Sequence, residues 1–118
     1  VLLPPYVEFV KRRSYCSASG PELVRRSLGL LQQQLARVPD VNPFEKFKPR
    51  FAADLDWLTH ESLETFHQYS FATLRQFGAC YEMAFLYLDW LSAHDVPNLD
   101  VARDAFNLLS TGAKTLQF

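Results

Sequence analysis

Glycine and cysteine are scarce in this chain of 118 residues, which has four glycines and two cysteines. So few glycines leave no glycine-rich loop of the kind that holds phosphate groups. Two cysteines do not make the disulfide framework of a small secreted scaffold. Charge of one sign is also lacking, because 12 basic residues are balanced by 13 acidic ones. This balance argues against binding to nucleic acid or to a membrane surface through bulk charge.

Long hydrophobic runs are absent as well. The most apolar stretch, residues 79–91, contains Glu82 and Asp89, so the sequence predicts no membrane span. What is present is ordinary for one globular domain, with 48% hydrophobic and 14% aromatic residues. The opening residues, 1–5, have neither a basic region nor a long apolar run, so we do not expect them to be a signal peptide. We therefore expect a cytoplasmic protein with free thiols.

The pattern of prolines and apolar residues divides the chain into a linker segment, residues 1–19, and a helical domain, residues 20–118. Pro4 and Pro5 predict extended backbone in the linker. The last residues stop within an apolar helical pattern, so we expect the domain to belong to a longer protein.

Helical periodicity predicts four helices. The first begins at Pro21, and its apolar stripe is typical of a helix in a bundle: Val24, Leu28, Leu31, Leu35 and Val38. Pro49 predicts a short turn at 43–47 and then a second helix from Pro49 to about Thr59.

The third predicted helix is long, from Ser62 to about Ala93, with Gly78 as its only glycine. Its two apolar stripes predict a central position, and its length predicts a bend near Gly78 or a protruding end. The fourth helix begins near Leu99, and small residues at 110–112 favour close helix approach. The expected fold is all-α: a four-helix bundle with a long central third helix and an extended N-terminal segment.

Three residues near the start of the long helix could suggest a metal site. His60, Glu64 and His67 share one side of a helix, and Glu64 and His67 have the Glu-x-x-His spacing of di-iron bundles. No second Glu-x-x-His exists in the sequence. We favour a cluster of charges at a helix start, and we predict neither a metal nor another cofactor. Cys80 lies 13 residues from His67, so the two cannot form a nucleophilic pair, and we expect Cys80 to be buried.

Two further patterns point to partners. Phe71 and Leu86 lie on an otherwise polar face of the long helix, which favours docking against another domain or subunit over plain exposure. Arg25 and Arg26 could contact the phosphate or the acidic surface of a carrier protein, although a solvated basic face is the more common role of such pairs.

Several strings resemble the C-terminal helical part of an uncharacterised bacterial family, a domain of unknown function. They are LPPYVEFVK at 3–11, NPF at 42–44, FAADLDWL at 51–58, FHQYSFATLRQ at 66–76 and GAKTLQF at 112–118. Some members of that family are encoded near carrier-protein-dependent amino-acid ligases. The resemblance implies a role in aminoacyl or acyl transfer involving a carrier protein, with the reactive centre in an N-terminal domain of the same protein.

The resemblance supplies no catalytic residue. Within its longest matching string, the polar residues to test first are His67, Tyr69, Thr73, Arg75 and Gln76. Two other hypotheses stay open: a non-catalytic helical interaction or dimerisation module, which would make the chain a homo-oligomer, and a metal-binding helical bundle. We do not expect this segment alone to be catalytic.

Overall fold

Helices make up the regular secondary structure of the protein. A computed structural model describes residues 17–116, and between these limits there is no strand. The helices are α1 (Gly20–Leu35), α2 (Phe44–Leu58), α3 (Leu63–Ser70), α4 (Gln76–Ser92) and α5 (Asp100–Thr115). A π-helical segment, Phe71–Arg75, joins α3 to α4 without a break, so residues 63–92 form one long helix. The all-α prediction and the long central helix are confirmed; most of the linker, residues 1–16, lies outside the described residues.

Local signals in the sequence account for where the helices begin. Ser62 precedes α3, and its Oγ accepts a hydrogen bond from the Thr65 backbone N–H at 3.2 Å. Asn42 acts in the same way before α2, where its Oδ1 accepts from the Phe44 N–H at 3.1 Å. These side chains satisfy donors that have no partner within the first helical turn. None of the helices in the described part of the chain is long and apolar enough to cross a membrane.

Pro49 does not interrupt α2, so the predicted turn at 43–47 is wrong. The helix runs without a break from Phe44 to Leu58 with Pro49 inside it. Proline lacks only the one amide donor that would reach the carbonyl of Glu45, near the exposed start of the helix. Phe44 and Phe47 pack against Phe77 of α4 with ring centroids 5.3 and 6.3 Å apart. We attribute the continuous helix to this packing.

The sequence predicts a bend near Gly78 or a protruding end of the long helix, and the helical pattern changes at the π-helical segment, Phe71–Arg75, just before Gly78. There the Thr73 hydroxyl donates a hydrogen bond to the backbone carbonyl of Tyr69 at 2.7 Å. Gly78 instead allows α4 and α5 to approach closely. A Cβ at this position would lie 3.2 Å from the Cβ of Ala113 and 3.5 Å from the carbonyl oxygen of Ser110. Of the small residues predicted to allow a close approach, 110–112, only Ser110 takes part in this contact, because Gly112 has no atom within 4 Å of an added Cβ.

The core is built around the contact between α4 and α5. The buried apolar residues of the described chain are Leu58, Leu74, Leu88, Leu91 and Ala113. A row of aromatic rings continues this core from α4 to α5: Phe77 and Tyr81 of α4 lie 4.7 Å apart, and Tyr81 lies 5.6 Å from Phe106 of α5. Aromatic pairs at these distances add to the free energy gained by burying the rings.

The first helix is packed much more loosely. No residue of α1 is buried. A hydrogen bond connects it to α4: the Tyr87 hydroxyl donates to the Ser27 carbonyl at 2.9 Å. Of the predicted apolar stripe, the first three residues are half-buried, whereas Leu35 and Val38 are 60% and 63% exposed. The stripe therefore faces the other helices only along the first part of α1.

Candidate functional site

An apolar groove lies between α2 and α5, with the long helix as its floor. Its volume is about 410 Å³. Twelve residues line it: Phe44, Glu45, Phe47, Lys48, Phe51, Leu74, Phe77, Leu108, Leu109, Gly112, Ala113 and Leu116. A mostly apolar concave surface of this size, with few polar groups, is typical of a binding site.

Helical spacing explains how two helices supply the walls. On α2 the apolar lining residues Phe44, Phe47 and Phe51 follow each other by three and four positions, so they share one face. Phe47 stacks on Phe51 with ring centroids 5.5 Å apart and planes tilted by 18°. It is also nearly parallel to Phe77 on the floor, at an angle of 6°. The wall formed by α2 is thus a set of mutually supported aromatic rings.

The opposite wall is aliphatic and more open. On α5, Leu108 is 75% exposed and Leu116 is 55% exposed. Gly112 lies between them, and a Cβ there would meet no atom within 4 Å. At the rim Glu45 and Lys48 are the charged lining residues, one turn apart on α2. The groove therefore combines a protruding leucine, an open space beside it and one charge of each sign.

A second uncovered surface, here called the outer stripe, follows the long helix. It consists of Phe71, Ala79, Met83 and Leu86. The last three recur at spacings of four and three, and Phe71 lies about two turns before them. Phe71, Met83 and Leu86 are 55%, 66% and 50% exposed. The predicted docking residues Phe71 and Leu86 are thus exposed, and Met83 extends the surface that they form.

One prediction about a residue beside the outer stripe is wrong. Cys80 was expected to be buried, but its side chain is exposed. The helix α1 contacts Tyr87, which lies about two turns further on. Cys80 itself is left open to solvent. Arg75 places its guanidinium 5.1 Å above the ring of Phe71, within the range of a cation–π contact.

The predicted polar cluster does not form a single site. His67, Arg75 and Gln76 are exposed, whereas Tyr69 and Thr73 are half-buried. The Tyr69 hydroxyl donates a hydrogen bond to Oδ2 of Asp54 at 2.9 Å. Burial raises the pKa of Tyr69 above its usual value, and the hydrogen bond to Asp54 adds to the effect.

Asp54 is the residue of this network that the sequence did not reveal. Its Oδ1 pairs with Nε of Arg50 at 2.9 Å while its other oxygen accepts from Tyr69. The spacing of four between Arg50 and Asp54 indicates a helical ion pair, but nothing in the sequence links Asp54 to Tyr69, 15 residues away. The network joins α2 to α3.

The basic pair proposed to contact a carrier is engaged with an acidic neighbour. Arg25 donates from two nitrogens to the two carboxylate oxygens of Glu22, each at 2.7 Å, and Arg26 donates to the same carboxylate at 2.6 Å. Hydrogen bonds from both arginines lower the pKa of Glu22 from 4.5 to about 2. Two positive charges against one negative charge leave this exposed cluster with a net charge of about +1 at neutral pH.

The possible metal ligands do not converge. His60 uses Nδ1 in a hydrogen bond with the backbone carbonyl of Asp56 at 2.8 Å, and Glu64 accepts from Gln68 at 3.3 Å. His67 is exposed. Between residues 17 and 116 no group of three His, Cys, Asp or Glu side chains is arranged to hold a metal ion.

Comparison with known proteins places the chain in a family by its sequence. No curated protein and no solved structure matches it. A family model described as the DUF1839 C-terminal domain matches residues 20–118. That range contains all five helices, the groove and the outer stripe. The chain therefore belongs to the DUF1839 C-terminal domain family.

Proposed function

We propose that this chain is a docking domain that packs through its outer stripe against the N-terminal part of the same cytoplasmic protein. The observation that carries the proposal is the exposure of three large apolar side chains, Phe71, Met83 and Leu86, on one helix. A single exposed apolar residue is common, whereas several on one face are typical of a surface that another protein covers.

The family description supports this choice of partner. It names the match a C-terminal domain, which implies an N-terminal part in proteins of the family. The stripe is also suited to close packing by another element, because Ala79 and the neighbouring exposed Cys80 are small and allow that element to come near the helix axis. Arg75 beside Phe71 supplies a cation at the edge of the contact.

A more specific role follows from the resemblance described above. We propose that the docked protein supports aminoacyl or acyl transfer involving a carrier protein, with the chemistry in the N-terminal part. The cluster of Glu22, Arg25 and Arg26 keeps a net positive charge. An acidic carrier surface would be attracted to it.

Small-angle scattering of the full product of the gene tests the docking. Met83→Glu places a charge in the centre of the outer stripe, so we expect the radius of gyration to rise as the two parts separate. Asn107→Glu is the matched control, because Asn107 is exposed on α5 outside both the stripe and the groove. Scattering that is unchanged by Met83→Glu would exclude docking through the stripe.

Binding to an immobilised acidic carrier protein tests the more specific role. We expect the full product to bind, and we expect Arg25→Glu together with Arg26→Glu to weaken binding at least tenfold, on the order of 1.4 kcal/mol. Arg37→Glu, at another exposed position after α1, is the control. No binding by the unmodified protein would overturn the carrier proposal and leave the docking proposal intact.

A further inference from the structure

We propose that the groove between α2 and α5 is a self-association surface, through which two copies of this chain form a symmetric dimer. The contact differs from the docking proposed above, because it uses the other side of the molecule and a second copy of the same domain. Its basis is that the groove and its rim are complementary to themselves, in shape and in charge.

The rim formed by α5 carries a shape that fits the groove of a second copy. Leu108 is 75% exposed and stands beside an open groove whose other wall is the aromatic face of α2. A two-fold symmetric contact requires one patch to carry both a protrusion and the recess that receives it. Here Leu108 of each copy is the protrusion, and the space between Phe47 and Gly112 of the other copy is the recess. Each copy gives and receives the same side chain.

The rim formed by α2 carries charges that complement those of a second copy. Glu45 and Lys48 line the groove one turn apart, and they carry opposite charges. When two α2 helices lie antiparallel about an axis that passes between these positions, Glu45 of each copy faces Lys48 of the other. Because each copy contributes one Glu45 and one Lys48, two symmetry-related ion pairs form. Like-charge contacts would result if the helices were parallel and in register, so the charges also select the orientation.

The extent of uncovered apolar surface is consistent with an interface between proteins. Besides Leu108, the groove exposes Phe47, Leu109 and Leu116 by 38%, 38% and 55%. Val101, two turns before Leu108 on the same face of α5, is 86% exposed and continues the surface. Large aromatic and aliphatic side chains in the centre with charges at the edge are the usual anatomy of such contacts.

Sedimentation of the 118-residue chain tests the proposal. We expect a dimer at concentrations on the order of 10–100 µM, which corresponds to a modest interface. Leu108→Glu removes the protrusion and would bring a charge into the apolar recess of the other copy, so this variant is expected to be monomeric. The exposure of Leu108 makes the fold tolerant of the change, and circular dichroism checks it. Asn107→Glu, which adds the same charge outside the groove, is expected to leave the dimer intact.

Exchanging the charges of Glu45 and Lys48 shows whether these two residues pair across the dimer interface or whether any charge change there weakens association. Glu45→Lys alone and Lys48→Glu alone each create like charges across the axis, and each is expected to weaken association about tenfold. The double variant restores opposite charges, and we expect it to recover the dimer. A wild-type chain that sediments as a monomer throughout this range would overturn the proposal, as would equal dimerisation of wild type and Leu108→Glu. A double variant weaker than either single variant would overturn the antiparallel arrangement.

Discussion

The pair formed by α4 and α5 and the pair formed by α1 and α4 are packed in opposite ways, although all three helices carry apolar stripes. Between α4 and α5, Gly78 meets Ala113 closely, and Leu88 and Leu91 are buried. An ion pair between Lys114 and Glu82 at 2.8 Å closes the same contact at the surface. Between α1 and α4 no residue of α1 is buried, and one hydrogen bond, from Tyr87 to Ser27, provides the polar contact.

The difference shows what brings two helices of this protein together. Large apolar residues are present on both α1 and α5, but only α5 presents small residues opposite a glycine of the long helix. Close backbone approach lets the neighbouring large side chains interdigitate, and burial then follows. Along α1 no small residue meets another helix closely, since an added Cβ at Gly29 would have no atom within 4 Å, and the leucines stay partly exposed. The loosely packed side and the uncovered surfaces are the parts of the domain available to partners.

The largest expected effect is on the free energy of unfolding, when a leucine is replaced by alanine in α4 and, for comparison, in α1. Leu91 is 0% exposed, and Leu91→Ala is expected to lower the free energy of unfolding by about 3 kcal/mol or more, because it leaves a cavity. Leu31 of α1 is only half-buried, and Leu31→Ala is expected to cost under about 1 kcal/mol. Urea denaturation measures both. Similar costs at the two positions would show that α1 is packed as firmly as α5.

Two glycines provide the next comparison. Gly78→Val forces side-chain atoms against Ala113, and we expect it to destabilise the protein by about 2 kcal/mol. Gly29 in α1 has no atom within 4 Å of an added Cβ, so Gly29→Val is expected to change stability by less than about 0.5 kcal/mol. Thermal unfolding distinguishes the two. If both substitutions are neutral, the approach of α4 to α5 does not depend on glycine.

A smaller effect is expected from the hydrogen bond that ties α1 to α4. Tyr87→Phe removes the donor to the Ser27 carbonyl and is expected to cost about 1 kcal/mol. Amide exchange should accelerate in α1 while the amides of α5 keep their rates. Faster exchange in both helices to the same degree would mean that α1 and α5 open as one unit.

The smallest effect concerns pH and the start of α1. The pKa of Glu22 is lowered to about 2 by its hydrogen bonds with Arg25 and Arg26. A lowered pKa in the folded state means that the stabilisation is present above pH 4.5 and is lost as the pH falls toward 2. We expect the first turn of α1 to fray over this range, and we expect Glu22→Gln to remove the dependence. Backbone chemical shifts of α1, followed in both proteins, provide the measurement.

Most of the fold could be predicted from sequence because its signals are local. Ser62 and the Asn42–Pro43 pair mark helix starts through their own hydrogen-bonding capacity, and helical spacing identifies the apolar faces. The continuous α2 could not be predicted, since Pro49 is accommodated by aromatic packing against a helix distant in sequence.

The candidate surfaces were predicted only in part, for a related physical reason. Periodicity shows that α4 is apolar on more than one face, but it does not show which face a neighbour covers. Cys80 and Tyr87 lie on the same side of α4, yet α1 reaches only Tyr87, and Cys80 is exposed. The groove depends on the distance between α2 and α5, and the pairing of Asp54 with Tyr69 depends on how α2 lies against α3. The spacing of residues along a single helix predicts neither the distance between α2 and α5 nor the packing of α2 against α3.

Hydrogen exchange compared between the 118-residue chain and the full product of the gene tests the central claim most directly. The account predicts that residues 71–86, which contain the outer stripe, gain protection when the rest of the protein is present. It also predicts that the segments 88–91 and 110–113, which contain the buried residues Leu88, Leu91, Ser110 and Ala113, have the same protection in both proteins. Equal exchange of residues 71–86 in the two proteins would contradict the claim that this chain is a docking domain.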